Sequence, residues 1–204
     1  MAKYIQDICY KGKNTADSYM HNNHIMPNLG KGINERLGST IRWKNLKAHI
    51  ILHLSLNDAI TEHMDGEFIF IQWIDVYNAT TNPAFNDLFE INTGRIRQGD
   101  NRDDVSTVGC FIKLEHMDKF NIIRRIPWTL TGRSSYSPGI NRLHIPINIT
   151  QEIDGIETTF HPNALGGGIK DIKKNALIMY CVCNANINMS YEILYRGLLE
   201  YEDV

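Results

Sequence analysis

The sequence predicts an all-β protein, a single eight-stranded antiparallel jelly roll (a β-sandwich) with long loops. Apolar residues alternate with polar ones over several long segments, and a two-residue period is typical of half-buried strands. The segments between them are rich in turn-forming residues, and helical periodicity is weak. Of the 204 residues, 43% are hydrophobic, which is enough for one substantial core, so a single domain is expected.

Residues 1–31 are predicted to form a flexible N-terminal arm, followed by a jelly-roll domain over residues 32–204. This first part of the chain is polar and aperiodic, and Pro27 and Gly30 interrupt its end. Before Lys31 it carries three lysines against two aspartates, so it is not a polybasic tail.

A long half-buried strand is predicted over residues 46–56, where six apolar side chains share one face. Upstream, Ile41 and Trp43 have the opposite parity, which predicts a β-bulge near Asn45. The next strand, over residues 66–77, is apolar on both faces. Such a strand suits a position between its own sheet and something outside it, which would be unusual in a monomer.

Six further segments have strand character, and a long connection over residues 78–106 precedes them. Pro146 predicts an edge position for its strand, because proline has no N–H to donate to a neighbouring strand. Topology is not visible in periodicity, and an immunoglobulin-like or cupin-like arrangement would give a similar pattern. The six segments cover residues 108–117, 120–130, 143–150, 156–161, 176–183 and 187–201.

Composition demands neither a nucleic-acid partner nor a membrane. Lysine and arginine number 21 against 23 acidic residues, a formal net charge of −2. No apolar run approaches the roughly 20 residues that span a bilayer, and the first residues lack the apolar stretch of a signal peptide. Four unevenly spaced cysteines do not make a disulfide framework, so a soluble chain in a reducing compartment is expected.

No catalytic or metal site is predicted, so we expect neither an enzyme nor a cofactor. His49 and His53 share a strand face but lie roughly 13 Å apart, too far for one metal ion. Cys181 and Cys183 are expected to be buried thiols, because no second pair stands at zinc-ligand spacing. The acidic run over residues 100–104 could bind a hard cation, but it lacks EF-hand spacing and is more simply a solvated loop.

A local excess of four positive charges lies between residues 31 and 47, where five basic residues face only Glu35. Arg42, Trp43 and Lys44 set charge beside an aromatic ring, a combination that holds phosphates and stacks bases. Trp43 shares parity with Ile41, which favours a core position for it. The predicted inner-face contacts with nucleic acid are Arg36, Arg42, Trp43, Lys44 and Lys47.

The segment Gly32-Ile33-Asn34-Glu35-Arg36-Leu37-Gly38-Ser39-Thr40-Ile41-Arg42-Trp43-Lys44 resembles capsid proteins of circular Rep-encoding single-stranded DNA (CRESS-DNA) viruses, the circovirus-like group. In that group it leads from a flexible arm into the first jelly-roll strand. The likeness continues more diffusely through Phe111–Leu114 to the aromatic-acidic end at Tyr195–Asp203.

The resemblance implies a coat protein that self-assembles into a T=1 icosahedral shell around a circular single-stranded DNA genome. Its location would be the virion, and the host nucleus or cytoplasm during assembly. A closed shell needs apolar surface beyond one core, and the two-sided strand and the long connection supply candidates. The predicted subunit-contact residues are Phe68, Phe70, Trp73, Tyr77 and Phe85.

The chain departs from that group because it has no arginine before Arg36, where the group carries an arginine-rich arm. Binding to single-stranded nucleic acid should then be weak and salt-sensitive. Either the chain is truncated, or packaging relies on the basic inner face, with Arg124 and Arg125 as further candidates. The alternative function is a jelly-roll carbohydrate- or receptor-binding module; a metal-dependent cupin enzyme is motivated only by fold class and eight histidines.

Overall fold

The structure, a computed structural model, describes residues 1–14, 19–24, 26–32, 35–55, 63–94, 104–131, 140–183 and 189–204. In these residues the chain forms eleven strands and two single-turn helices, α1 (Phe85–Leu88) and α2 (Thr150–Ile153). All pairs of strands are antiparallel, so the predicted all-β class is confirmed. The strands are β1 (Ala2–Asn14), β2 (Tyr19–His24), β3 (Thr40–Ser55), β4 (His63–Asp75), β5 (Phe89–Gly94), β6 (Asp104–Ile112), β7 (Phe120–Thr131), β8 (Ile140–Asn148), β9 (Glu157–Phe160), β10 (Ile172–Cys183) and β11 (Met189–Asp203).

Eight of these strands pair in two rows of four. Row 1 has the order β1-β11-β3-β8, and row 2 has the order β2-β10-β4-β7. The short strand β9 pairs with both β3 and β10 and so joins the rows. In chain order, the first of the eight pairs with the last, the second with the seventh, the third with the sixth and the fourth with the fifth.

The main core lies between the two rows. Trp43 and Ile50 of β3, Phe70 of β4, Met179 of β10 and Tyr195 of β11 belong to one buried cluster. These side chains alternate with outward-facing residues along their strands, the pattern of a sandwich whose inner faces pack together. Burial of each large apolar side chain stabilises the fold by roughly 2 kcal/mol.

A second core covers the outer face of row 2. Ile69 and Ile71 of β4 and Ile178 of β10 pack there against Phe85 of α1 and Phe89 of β5. The hairpin β5–β6 and helix α1 thus form a third layer over row 2. This layer explains why the segment over residues 66–77 is apolar on both faces. Of the long connection predicted over residues 78–106, residues 85–94 and 104–106 belong to the layer, and residues 95–103 lie outside the described residues.

Two local predictions on the strands are confirmed. Asn45 pairs with Glu200 and Trp43 pairs with Tyr201, which leaves Lys44 as the extra residue of a β-bulge. Strand β8, which contains Pro146, pairs only with β3 in the part of the chain that the structure describes, so it lies at an edge.

The prediction of a flexible arm over residues 1–31 is wrong, because both β1 and β2 are strands of the sheet. β1 pairs along its whole length with β11, from Ala2 opposite Tyr201 to Asn14 opposite Met189. Its inward positions mix apolar Ala2 and Tyr4 with polar Gln6, so the alternation that reveals a strand is weak. The position of β1 in the sheet is set by its backbone hydrogen bonds with β11.

The connections at the two ends of the rows differ. At one end of the rows, the strands end at the borders of residues 15–18, 56–62, 132–139 and 184–188, which lie outside the described residues. The opposite end carries the segments from β2 to β3, from β4 to β7 and from β8 to β10. The candidate surfaces lie at this second end and on the outer face of row 1.

Candidate nucleic-acid and subunit-contact surfaces

Arg36 is a buried structural residue. Only 1% of it is exposed, and its guanidinium donates hydrogen bonds to the carbonyl oxygens of Gly38 and Ala164 at 2.5 and 2.6 Å. The same group lies 3.7 Å over the ring of Phe160. Burial lowers the pKa of Arg36, and the nearby Asp171 opposes that shift. The prediction that Arg36 contacts nucleic acid is therefore wrong, because the side chain is buried and both terminal nitrogens of its guanidinium donate hydrogen bonds inside the fold.

Trp43 is fully buried between the rows. Its parity with Ile41, also fully buried, correctly indicated a core position. The prediction that the Trp43 indole contacts nucleic acid is wrong, since no ring face is open to a base.

Arg42 and Lys44 are on the outer face of row 1, but each has acidic neighbours. Arg42 lies 2.6 Å from Glu157, and the hydrogen bond that it donates to this carboxylate raises the pKa of Arg42. Lys44 lies 3.4 Å from Glu202 and 3.7 Å from Asp154. Two cations thus face three carboxylates, and a phosphate would have to displace existing ion pairs to bind here.

The outer face of row 1, meaning the side chains of its strands that point away from the core, carries further cations. Lys47 and Arg142 are exposed and make no ion pair within the described residues. The exposed rings of His49 and His144 stack with centroids 5.3 Å apart. Arg196 lies on the same face, opposite His49 in the ladder.

Lys47 was predicted from the sequence, whereas the cations on β8 and β11 were not. The signal was the alternation along β8, in which the outward-facing His144 and Pro146 alternate with the buried Ile145 and Ile147. Arg196 likewise falls between the buried Tyr195 and Gly197. It lies 3.3 Å from Asp7, so it is less open to a phosphate than Lys47 is.

The prediction of a subunit contact is wrong for three of the five residues. Phe68 and Phe70 are fully buried between the rows, and Phe85 is fully buried under the hairpin. Their apolar character serves the chain's own two cores, so they offer no surface to another subunit. Trp73 is half-buried and stacks on Phe120 with centroids 5.2 Å apart, and Tyr77 is 61% exposed. The prediction for these last two residues stays untested.

The structure reveals an apolar ridge that the sequence did not single out, formed by Phe111, Leu114 and Met117. These residues are 75%, 85% and 60% exposed. Leu114 begins the 3₁₀ turn Leu114–His116 and Met117 directly follows it, so these two side chains, three residues apart, lie above one another on the same side. The alternation in β6 indicated that Phe111 points away from Cys110 and Ile112. It could not show that no other described segment of the chain covers Phe111.

Histidines, cysteines and acidic residues are the candidates for a metal or thiol site. In the part of the chain that the structure describes, no group of three or more histidines, cysteines or acidic residues is placed to hold a metal ion. Asp100 and Asp103 of the predicted acidic run lie outside that part. Cys181 and Cys183 are buried thiols as predicted, and burial raises the pKa of Cys183 to about 12 and that of Cys181 well above its ordinary value.

Comparisons with known proteins add no relative. No known protein family matches the chain, and no curated protein is similar to it. Among the described residues, no helix is long and apolar enough to cross a membrane. The function is therefore inferred from the residues of the chain itself and from their arrangement.

Proposed function

We propose that this protein is a viral coat subunit that assembles with copies of itself into a small T=1 icosahedral shell around a circular single-stranded DNA genome. The apolar ridge carries the proposal, because three large apolar side chains exposed within seven residues of the sequence are typical of a surface that another chain covers. No enzymatic activity is part of this function.

The pairing order of the strands supports the same proposal. Two rows of four, in which the first strand pairs with the last and the others nest inside, have the pairing order expected of a jelly roll, so they support that part of the proposal. Jelly rolls are common in viral capsids, and the resemblance over residues 32–44 points to a coat protein as well. Fold alone is weak evidence for function, so the surface has to carry the proposal.

A closed shell requires heterologous contacts, in which one patch of a subunit meets a different patch of its neighbour. The apolar ridge is one such patch. Leu37 and Leu165 are 67% and 72% exposed and belong to other connections, so they are candidates for the receiving surface. In this arrangement we also expect Trp73 and Tyr77 to lie near the contact, because they line a cavity together with His116 of the neighbouring 3₁₀ turn.

The outer face of row 1 is the proposed genome-facing side. Lys47 and Arg142 supply charge, and the stacked rings of His49 and His144 supply a surface for bases. The face also carries acidic residues, and Arg42 is paired with Glu157. Binding to single-stranded DNA should accordingly be weak and should weaken further as salt rises.

A jelly-roll carbohydrate- or receptor-binding module is the second candidate. An open cavity lined by Trp73, Tyr77 and Phe120 favours it, because aromatic rings are frequent in ligand-binding pockets. A stable monomer or trimer that bound a glycan specifically, and never formed particles, would support this candidate over the coat subunit.

Sedimentation velocity of the purified chain tests the proposed assembly through the apolar ridge. The wild-type protein should sediment as a species much larger than a pentamer, whereas the double variant Leu114→Glu/Met117→Glu should remain small, because two charges cannot be buried in an apolar contact. Glu115→Ala is the matched control in the same exposed turn and should assemble normally. Assembly of the double variant at wild-type concentration would contradict the role of the ridge.

A further inference from the structure

A cavity of about 440 Å³ opens where β4 ends, between α1 and the turn that precedes β7. One wall is aromatic: Trp73 stacks on Phe120, and Tyr77 lines the cavity from beyond the end of β4. The buried side chain of Leu88 adds an apolar surface. Both the volume and the largely apolar lining are those of sites for small ligands.

Charged groups of both signs also line this cavity. Asp75 and Asp87 are exposed carboxylates, and neither makes an ion pair in the described residues. Asp75 accepts one hydrogen bond, from the backbone N–H of Tyr77 at 3.3 Å. Lys119 also lines the cavity and has no ion-pair partner in the same part of the chain. The fourth ionisable group, His116, lies 4.0 Å from Glu115.

We propose that this cavity binds a small organic cation, an ammonium or guanidinium group on an aliphatic chain. Two carboxylates against one ammonium favour positive charge, and carboxylates form strong hydrogen bonds with charged donors. The faces of Trp73 and Tyr77 attract a cation, and an aliphatic stem packs well on Leu88. The cation is either a free polyamine or a basic side chain of another copy of the protein.

A neutral sugar is the main competitor, because it would also stack on the aromatic wall. It differs from a cation in its response to the charges of the lining. Removal of a carboxylate weakens binding of a cation and removal of Lys119 strengthens it, whereas a sugar has no reason to respond in opposite directions. The cavity is complete within one chain, so binding of a small cation to it does not require shell assembly.

Isothermal titration calorimetry of the full chain, kept unassembled and at constant ionic strength, tests the proposal. The probes are 1,5-diaminopentane, Nα-acetyl-lysine methylamide and methyl glucoside. Asp87→Asn should weaken binding of both cationic probes by about fivefold, and Asp75→Asn should act in the same direction. Lys119→Gln should tighten it by about threefold. Asp118→Asn, an exposed neighbour that does not line the cavity, should leave it unchanged.

The two cationic probes distinguish the sources of the cation. Tighter binding of the diamine identifies a free polyamine, whose two charges engage both carboxylates. Equal binding of the lysine derivative identifies a basic side chain of another copy. Unfolding curves of each variant show that it is folded. No heat from either cationic probe, equal affinity in Asp87→Asn, or tighter binding of methyl glucoside would overturn the proposal. If the protein forms shells but neither cationic probe binds, the cavity inference is refuted and the coat-subunit proposal is not.

Discussion

The outer faces of the two rows differ, although both belong to one antiparallel sandwich. On row 1 that face is open and charged, with Lys47 and His49 in solvent. On row 2 it is covered by the hairpin β5–β6, so that Phe70 and Ile71 are both fully buried although they point to opposite sides of β4. A strand that is apolar on both faces therefore indicates a covering layer, and here the same chain supplies it.

Ion pairs follow the same division. On row 2, Arg125 lies 2.5 Å from Glu67, which is 5% exposed at its side chain, and it also donates to the carbonyl of Cys110 in the hairpin. Glu67 accepts a further hydrogen bond from the N–H of Gly109. This pair links the hairpin to the sheet through the buried Glu67. On the outer face of row 1, by contrast, the side chains of the Arg42–Glu157 pair are 41% and 42% exposed.

Phe89→Ala should have the largest effect on stability. Phe89 stacks on Phe85 with centroids 4.3 Å apart and meets Tyr180 edge-on, so truncation opens a cavity between hairpin and sheet. We expect a loss of about 4 kcal/mol in the free energy of unfolding, measured by urea denaturation. Phe111→Ala removes the same ring from the exposed side of the hairpin and should cost less than about 0.5 kcal/mol. Equal losses would break the comparison between covered and open faces.

Arg125→Ala should come next, with a loss of about 3 kcal/mol, because it leaves the carboxylate of Glu67 buried without a cation. The neighbouring Arg124 provides the control: it lies 2.6 Å from Glu152 but is 47% exposed at its side chain. Arg124→Ala should cost less than about 1 kcal/mol. The same urea experiment compares the two variants, and a larger loss for Arg124→Ala would mean that the hairpin is not held by the buried pair.

Alkaline pH should destabilise the fold through the buried thiols of β10. Burial raises the pKa of Cys183 to about 12, so the folded state keeps a proton that the unfolded state releases near pH 9. Stability is therefore full below about pH 9 and falls between pH 9 and 12, by about 1.4 kcal/mol per thiol at pH 10. Urea midpoints measured at pH 8 and pH 10 check this. The variant Cys181→Ala/Cys183→Ala should show a smaller fall, and an identical fall would assign the effect to other groups.

The smallest effect is expected on the open face of row 1. In binding to single-stranded DNA, Lys47→Ala/Arg142→Ala should reduce the slope of log affinity against log salt by about 1.4, because each cation that neutralises a phosphate accounts for about 0.7. Fluorescence anisotropy with a labelled oligonucleotide measures the slope. Lys170→Ala, an exposed lysine of another connection, is the control. An unchanged slope in the double variant would place the nucleic acid elsewhere.

Alternation predicted much of the fold because it reflects local burial. It located β3, its bulge at Lys44 and the edge strand with Pro146, since each of these leaves a mark within a few residues. β1 was missed because its inward positions are only partly apolar and its place depends on pairing with β11. Pairing between distant segments leaves no periodic signal.

The candidate site was harder to predict because charge alone does not show pairing. The acidic partner of Arg42 is 115 residues away, and the carbonyl of Ala164 that binds Arg36 is 128 residues away. The sequence suggested that Arg36 and Arg42 were available to bind nucleic acid, but both donate hydrogen bonds within the fold. The apolar ridge was missed because an apolar residue type suggests burial. Leu114 was expected in the core by its residue type, but it is 85% exposed.

Negative-stain electron microscopy of the purified chain at near-physiological salt tests the coat-subunit proposal most directly. We expect uniform round particles, hollow or filled, that disappear in the variant Leu114→Glu/Met117→Glu. Only small species across a range of salt and pH would contradict the proposal and would favour the binding module.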